Sequence, residues 1–91
     1  MANKIMKKII NGKKYDTNTA QEVCCGFFGN FNCKKVTLYR KKTGEFFEHH
    51  ELNEFGYREW IEPVSEREAK RFAEEEMDAE EYEEIFGEVE E

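Results

Sequence analysis

The chain has 91 residues, of which 38% are hydrophobic and 14% aromatic, so it can form one small aromatic-rich domain and has no room for the core of a second domain. Its formal net charge of −7 combines −11 in residues 62–91 with +4 in residues 1–61. Lysines interrupt the apolar residues near the N-terminus, so we expect neither a signal peptide nor a membrane span. We expect a cytosolic protein, in which three cysteines do not form a disulfide framework.

The first part of the chain predicts a short hairpin and then a helix. Residues 7–10 and 13–15 flank Asn11-Gly12, which is typical of a type I′ turn between two strands. Residues 16–19 carry side chains that can cap a helix. The next apolar residues have the i, i+3, i+4 and i+7 spacing of an amphipathic helix, and they are Ala20, Val23, Cys24 and Phe27.

The middle of the chain predicts the main β-hairpin. Residues 35–41 and 45–50 are rich in β-branched and aromatic side chains and lie on either side of Lys42-Thr43-Gly44. Residues 58–62, which include Trp60 and Ile61, form a candidate further strand that stops at Pro63.

Two capping boxes predict helices in the acidic segment. Ser65 with Glu68, and Asp78 with Glu81, place an N-cap oxygen three residues before a glutamate. The apolar face of the first helix is formed by Ala69, Phe72, Ala73 and Met77. The apolar face of the second is formed by Tyr82, Ile85 and Phe86. The acidic side chains then line the outer faces of both helices.

Together these elements predict an α+β fold, with a small antiparallel β-sheet packed by an N-terminal helix and followed by two short acidic helices. We expect one domain over residues 1–91. Residues 1–61 form its hairpins and helix and are mildly basic, and residues 62–91 form its acidic helical segment. A block of like charge costs stability through self-repulsion, so its retention on a small domain indicates a use.

All cysteines and histidines of the chain lie between residues 24 and 50, which raises the hypothesis of a structural zinc site. A turn at residues 43–44 would place residues 38 and 37 opposite His49 and His50, and so bring the histidine pair toward Cys33. A small aromatic core gains stability from a bound metal. The spacing matches no zinc finger, however, and Cys24 fits as well as a core residue. The predicted ligands are Cys24, Cys25, Cys33 and His50, with His49 as the alternative to His50.

Two other functions find little support in the sequence. A Cys–His pair can act as nucleophile and base, but no residue is placed to orient the base or form an oxyanion hole, so we do not expect an enzyme. The lysines of residues 34–42, with the rings of Tyr39, Phe46 and Phe47, resemble a nucleic-acid-binding sheet. A net charge of −7 repels phosphate, so we expect no direct binding of nucleic acid.

The acidic helices suit the opposite role. Two rows of carboxylates can occupy a basic groove that normally holds a nucleic-acid backbone, so this segment is a candidate nucleic-acid mimic. The candidate partner-binding residues are Glu74, Glu75, Glu80, Glu81, Glu83 and Glu84.

Three blocks of the sequence resemble one group of small proteins. The blocks are KIINGKKYDT at residues 8–17 with Thr19-Ala20, LYRKKTGEFF at residues 38–47, and DAEEYEEIFG at residues 78–87. They resemble small proteins carried by prophages and mobile elements of Gram-positive bacteria, some of which are anti-CRISPR proteins, including type II-A inhibitors of Cas9. Residues 24–33 and 49–57 depart from the resemblance, so it does not support the predicted zinc ligands.

The resemblance and the charge together imply a phage-encoded, monomeric anti-CRISPR protein in the host bacterial cytoplasm. It would bind Cas9 and inhibit it by stoichiometric occlusion of a basic nucleic-acid-binding surface. The alternative is a zinc-stapled phage interaction module that regulates another host protein. Neither hypothesis requires a membrane.

Overall fold

The computed structural model describes residues 6–91. In this part of the chain the strands are β1 (Lys7–Ile10), β2 (Lys13–Asp16), β3 (Gln21–Phe28), β4 (Lys34–Arg40), β5 (Phe46–Asn53) and β6 (Tyr57–Val64), and the helices are α1 (Glu66–Glu76) and α2 (Ala79–Phe86). Neither of these helices has the length and apolar composition needed to cross a membrane. The expectation of no signal peptide concerns in part residues 1–5, which lie outside the described residues.

The strands form two antiparallel sheets. β1 and β2 pair around Asn11-Gly12, whose φ angles of 51° and 76° are those that a type I′ turn requires. The other four strands form a meander in the order β3-β4-β5-β6, so that each pairs with its neighbour in the sequence. The two hairpins predicted around residues 11–12 and 42–44 are thereby confirmed.

The predicted N-terminal helix is wrong, because Gln21–Phe28 form β3 at an edge of the four-stranded sheet. A bulge after Glu22 interrupts the alternation of this strand, so Val23 and Cys24 both pack against the same core. Two adjacent inward-facing apolar residues produce the spacing that is typical of the apolar face of a helix. The predicted cap forms a turn instead, in which Asp16 Oδ1 accepts from the N–H of Asn18 at 2.8 Å. The fold is therefore two antiparallel sheets followed by two helices, not a sheet packed by an N-terminal helix.

The register of the β4–β5 hairpin also differs from the prediction by one residue. Thr37 pairs with His49 and Val36 pairs with His50, whereas the predicted register placed residues 38 and 37 opposite these histidines. Neighbouring residues of a strand point to opposite faces of the sheet. His49 and His50 therefore lie on different faces and cannot act together as a pair of ligands.

α1 packs on one face of the four-stranded sheet, which we call the helix face. Its Ala69 and Ala73 have no exposed surface, and their small side chains let the helix lie close to Leu38 and Phe46. α2 returns over the same core, where the ring of Phe86 stacks on Phe46 with 5.5 Å between the ring centroids. The acidic segment is thus anchored to the sheet by apolar contacts.

The small β1–β2 hairpin contributes to a second core on the opposite face, which we call the hairpin face. Tyr15 of β2 meets Phe47 edge-on at a centroid distance of 5.5 Å, and Tyr39 stacks on Phe47 at 5.2 Å. Ile61 of β6 completes the buried part of this second cluster. The adjacent residues Phe46 and Phe47 therefore anchor two cores on opposite sides of one strand.

The boundaries of the acidic helices follow the sequence. Ser65 and Asp78 each accept a hydrogen bond from the N–H three residues on, and the glutamate at that position reaches back to the N-cap N–H, so both capping boxes are confirmed. The strand predicted at residues 58–62 is confirmed as part of β6, but it does not stop at Pro63. This proline lies on an edge strand, where no further strand needs the N–H that proline lacks.

Replacing Leu38 with alanine tests the core of the helix face. Leu38 is fully buried, so L38A should lower the free energy of unfolding by about 2–5 kcal/mol, as measured in urea. The control is Ile9→Ala, because Ile9 is 66% exposed and its truncation should cost about 0.5 kcal/mol or less. Equal losses for the two variants would contradict the assignment of the core.

Glu45 connects the small hairpin to the four-stranded sheet. Its carboxylate accepts hydrogen bonds from Lys13 Nζ at 2.6 Å, Lys41 Nζ at 3.3 Å and Thr43 Oγ1 at 3.1 Å. These bonds, that of Lys13 first, lower the pKa of Glu45 from 4.5 to about 2. The pKa of Glu45 is lower in the folded chain than in the unfolded chain, so its ionised carboxylate stabilises the fold at pH values above its unfolded-state pKa. This contribution disappears as the pH falls through its folded-state pKa.

Glu45→Gln should therefore show a stability deficit that depends on pH. The difference in unfolding free energy between wild type and E45Q should be constant above about pH 5 and should shrink between pH 4.5 and about 2. Urea titrations across this range measure it, with Glu90→Gln in the C-terminal tail as a control for the loss of one carboxylate. A difference that stays constant down to the lowest pH would rule out the assigned role of Glu45.

Candidate functional site

Six exposed glutamates of α1 and α2 form what we call the acidic surface. They are Glu74, Glu75, Glu80, Glu81, Glu83 and Glu84. The apolar face of α2 holds this surface in place, because Tyr82 and Phe86 pack against the core of the helix face. Arg40 of β4 also donates a hydrogen bond from Nη1 to the carbonyl oxygen of Ile85 at 3.0 Å. The backbone that carries these carboxylates is therefore held in place on the sheet.

The charge of the acidic surface is not neutralised by nearby basic side chains. Among residues 6–91, none of its six glutamates forms a salt bridge. Two of them have roles within α2 or its tail: Glu81 completes the capping box, and Glu83 Oε2 accepts from the N–H of Val89 at 3.0 Å. The other four glutamates have no hydrogen-bond partner among residues 6–91, so their oxygens face solvent.

The position of these charges on α1 is unfavourable for the helix itself. α1 ends with Glu74, Glu75 and Glu76 and has no basic residue in its last turn. The carbonyl groups there form the negative end of the helix dipole, which destabilises a nearby carboxylate by about 0.3–1 kcal/mol. Helix stability alone therefore does not explain this run of glutamates.

A second candidate site is a cluster of Glu48, His50 and Glu62, which we call the Glu–His–Glu cluster. His50 Nε2 lies 2.9 Å from Glu48 Oε1 and 2.8 Å from Glu62 Oε2. Glu48 and His50 are two residues apart on β5, and Glu62 pairs with Glu48 from β6, so the sheet places all three on the helix face. Their donor atoms lie within 4.8 Å of one another and could hold a metal ion.

The hydrogen bonding of His50 is incomplete among the described residues. The residue is 7% exposed, and its Nδ1 is buried with no partner. A neutral imidazole has one N–H and can satisfy only one of the two carboxylates at Nε2. A doubly protonated ring would satisfy both but would leave a buried N–H at Nδ1 without an acceptor. A divalent cation bound at Nε2 would remove the competition between the carboxylates, but it too would leave the N–H at Nδ1 without an acceptor.

Trp60 lies beside this cluster. Its ring stacks on His50 with 5.1 Å between centroids and 13° between planes, and its Nε1 donates to Glu62 Oε2 at 3.3 Å. It is the only tryptophan of the chain. Any ion that binds the cluster therefore changes the surroundings of the single tryptophan.

The structure does not bring the predicted cysteine ligands to His50. Cys24 lies on β3 and His50 on β5, and strands two positions apart in a sheet are separated by roughly 10 Å. Cys25 follows Cys24 on the strand and points to the opposite face. Cys33 precedes β4, where its Sγ donates to Glu54 Oε2 at 3.6 Å. Among the described residues, the group that could hold a metal contains His50 but no cysteine.

The thiols of Cys24 and Cys33 also have raised pKa values. Burial is the main cause that raises the pKa of Cys24 to about 12, with Glu76 and Cys25 adding to it. Desolvation and the hydrogen bond to Glu54 raise the pKa of Cys33. A raised pKa keeps the free thiol protonated, whereas nucleophilic attack requires the thiolate.

The remaining residues considered from the sequence occupy ordinary structural positions. His49 lies on the hairpin face, where its Nε2 is 3.0 Å from Glu59 Oε1. Phe46 and Phe47 are buried, 5% and 0% exposed, so their rings cannot stack on nucleic-acid bases. The third ring considered, that of Tyr39, is half-buried and stacks on Phe47, so these three rings pack in the cores of the sheet.

Glu48 and Glu62 were missed as candidate ligands. The sequence carries part of the signal, because Glu48-x-His50 on a strand places both side chains on one face. Glu62 is brought in by the β5–β6 pairing, which depends on the length of the turn at residues 54–56.

Comparison with protein-family models, curated proteins and solved structures finds no match to this chain.

Proposed function

We propose that this protein is a phage-encoded anti-CRISPR protein that binds Cas9 in the host cytoplasm and blocks a basic nucleic-acid-binding surface. The observation that carries the proposal is the acidic surface, whose glutamates are exposed and form no salt bridge within residues 6–91. Rows of carboxylates at fixed positions suit a basic groove that binds a phosphate backbone. Cas9 as the partner comes from the resemblance of three sequence blocks to prophage proteins.

The mechanism we propose is occlusion by a monomer, with no chemical change to the target. Positive grooves that bind nucleic acid attract an acidic partner over a Debye length of roughly 8 Å at physiological salt. Apolar packing already holds the helix backbones in place, so the entropy lost on binding is mainly that of the glutamate side chains. The raised pKa values of two thiols support occlusion over a mechanism with a nucleophilic cysteine.

A triple charge reversal, Glu75→Lys, Glu80→Lys and Glu84→Lys, should raise the Kd for Cas9 at least about tenfold, because each change replaces an attraction by a repulsion. Glu81 and Glu83 are left unchanged, since their side chains bond to the backbone of Asp78 and Val89. Wild-type inhibition of DNA cleavage should saturate near equimolar inhibitor and weaken as salt rises.

The matched control reverses three charges of the tail beyond α2, namely Glu88, Glu90 and Glu91. This variant has the same net charge as the triple reversal, so a loss confined to the helix variant locates the interaction on the acidic surface. Equal inhibition by the two variants, with binding that does not change with salt, would contradict the proposal. Inhibition that is substoichiometric and leaves Cas9 modified would replace occlusion by an enzymatic mechanism.

The second candidate function is a zinc-stapled interaction module that regulates another host protein, and the Glu–His–Glu cluster favours it. Zinc accepts imidazole nitrogen and carboxylate oxygen, and three protein ligands leave a fourth position for water. Glu62 is 57% exposed, so this position opens to solvent. Metal-bound histidines usually donate their second N–H to an acceptor, which Nδ1 of His50 lacks. We therefore expect zinc to bind more weakly than at cysteine-rich sites.

Zinc should raise the melting temperature of the purified protein and change the emission of Trp60. Saturation at about a hundred times the Kd adds about 2.7 kcal/mol of stability, and a domain of this size shifts by roughly 4–8 °C per kcal/mol. Glu62→Gln should abolish both responses and keep the fold, because Glu62 lies largely in solvent. His49→Gln should retain both, since His49 is on the other face of the sheet. If zinc changes neither property of the wild type, the cluster is not a zinc site.

A further inference from the structure

The end of α1, the start of α2 and the C-terminal tail enclose an open groove of about 440 Å³, which we call the acidic groove. Its apolar lining is formed by Met77, Ala79, Tyr82 and Val89. Its acidic lining is formed by Glu74, Asp78 and Glu83. No basic side chain of residues 6–91 lines it. The groove therefore offers apolar contact and negative charge in the same concave space.

The acidic side chains of the groove retain free hydrogen-bonding capacity. Glu74 has no hydrogen-bond or salt-bridge partner among the described residues. Asp78 uses Oδ1 to cap α2 at 2.9 Å, and Glu83 uses Oε2 to accept from Val89, so one oxygen of each remains. Three carboxylates around an apolar floor would favour a cation with an apolar stem.

We infer that the acidic groove binds an arginine side chain carried by a basic segment of the protein partner. This inference rests on the proposed function and names the group that the acidic surface recognises. The aliphatic stem of arginine matches Met77 and Val89, and its planar guanidinium can stack on the half-buried ring of Tyr82 while it bonds carboxylates in pairs. Lysine offers a stem and a point charge but neither the planar stacking nor the paired bonds.

The experiment uses the full chain and labelled peptides without Cas9, so its outcome is separate from that of the inhibition assay. Two peptides of equal length and charge are titrated by fluorescence anisotropy, one with arginine and glycine and the other with lysine and glycine. The arginine peptide should bind about fivefold more tightly, the equivalent of about 1 kcal/mol for stacking and paired bonding. Tyr82→Leu, which keeps an apolar side chain but removes the ring, should reduce this preference.

A pair of matched variants locates the binding. The first double variant, Glu74→Gln with Glu83→Gln, should weaken binding of the arginine peptide. The loss should be clearly larger than for the second, Glu88→Gln with Glu90→Gln, which removes the same charge outside the groove. Circular dichroism establishes that each variant keeps its helices. Equal affinities for the two peptides, or equal losses for the two pairs of variants, would overturn the inference and leave only non-specific attraction of cations. If the protein binds the arginine peptide in the groove but does not inhibit Cas9, the inference about the groove stands and the proposal that Cas9 is the partner is rejected.

Discussion

The pairing register of β5 with its two neighbours is the constraint on which the rest of the molecule depends. Phe46 and Phe47 are adjacent, and this register sends the first into the core under the helices and the second into the core with the small hairpin. A shift of one residue would exchange every side chain of β5 between the two faces. A slip in either direction would put one phenylalanine into the site of the other and a glutamate, Glu48 or Glu45, into the remaining buried site. The cost of burying that charge specifies the register in both directions.

The same register creates the Glu–His–Glu cluster and separates the histidines. Glu48 and His50 lie on the helix face together with Phe46. The alternation of side chains along β5 therefore places both the residue that fills the core and the residues that could hold a metal on this face. His49 is sent to the other face, where it meets Glu59. Hydrophobic packing thus determines the geometry of the polar cluster, which would change with any slip of the strand.

Local chemistry explains which parts of the fold could be predicted from the sequence. The turn at Asn11-Gly12 and the boxes at Ser65 and Asp78 depend on residues within four positions, and the structure contains all three. β3 was missed because a bulge places Val23 and Cys24 toward one core, a departure from alternation that reads as helical spacing. A bulge is stabilised by pairing with β4, which local propensity does not encode.

The two candidate sites likewise differ in how far local sequence could predict them. The exposed glutamates of the acidic surface followed from helical periodicity, because the apolar face of each helix fixes which residues face outward. The polar cluster depends on pairing between β5 and β6, so only one of its three members, His50, was among the predicted ligands. Cys24 had a recognisable alternative as a core residue, and its packing against the core of the helix face agrees with that alternative.

Charge alone would give the acidic surface little selectivity between partners. Exposed carboxylates attract any cationic surface, and salt screens that attraction beyond roughly 8 Å. Selectivity requires a feature that responds to shape, and in our proposal the acidic groove would provide it, because Tyr82 and Met77 lie among the carboxylates. The same two residues pack against the core of the helix face, so the floor of the groove is held by the fold. In the proposed function, the dense charge would speed the encounter with the partner and the apolar floor would select it. Both features belong to one pair of helices, whose packing depends on the sheet beneath them.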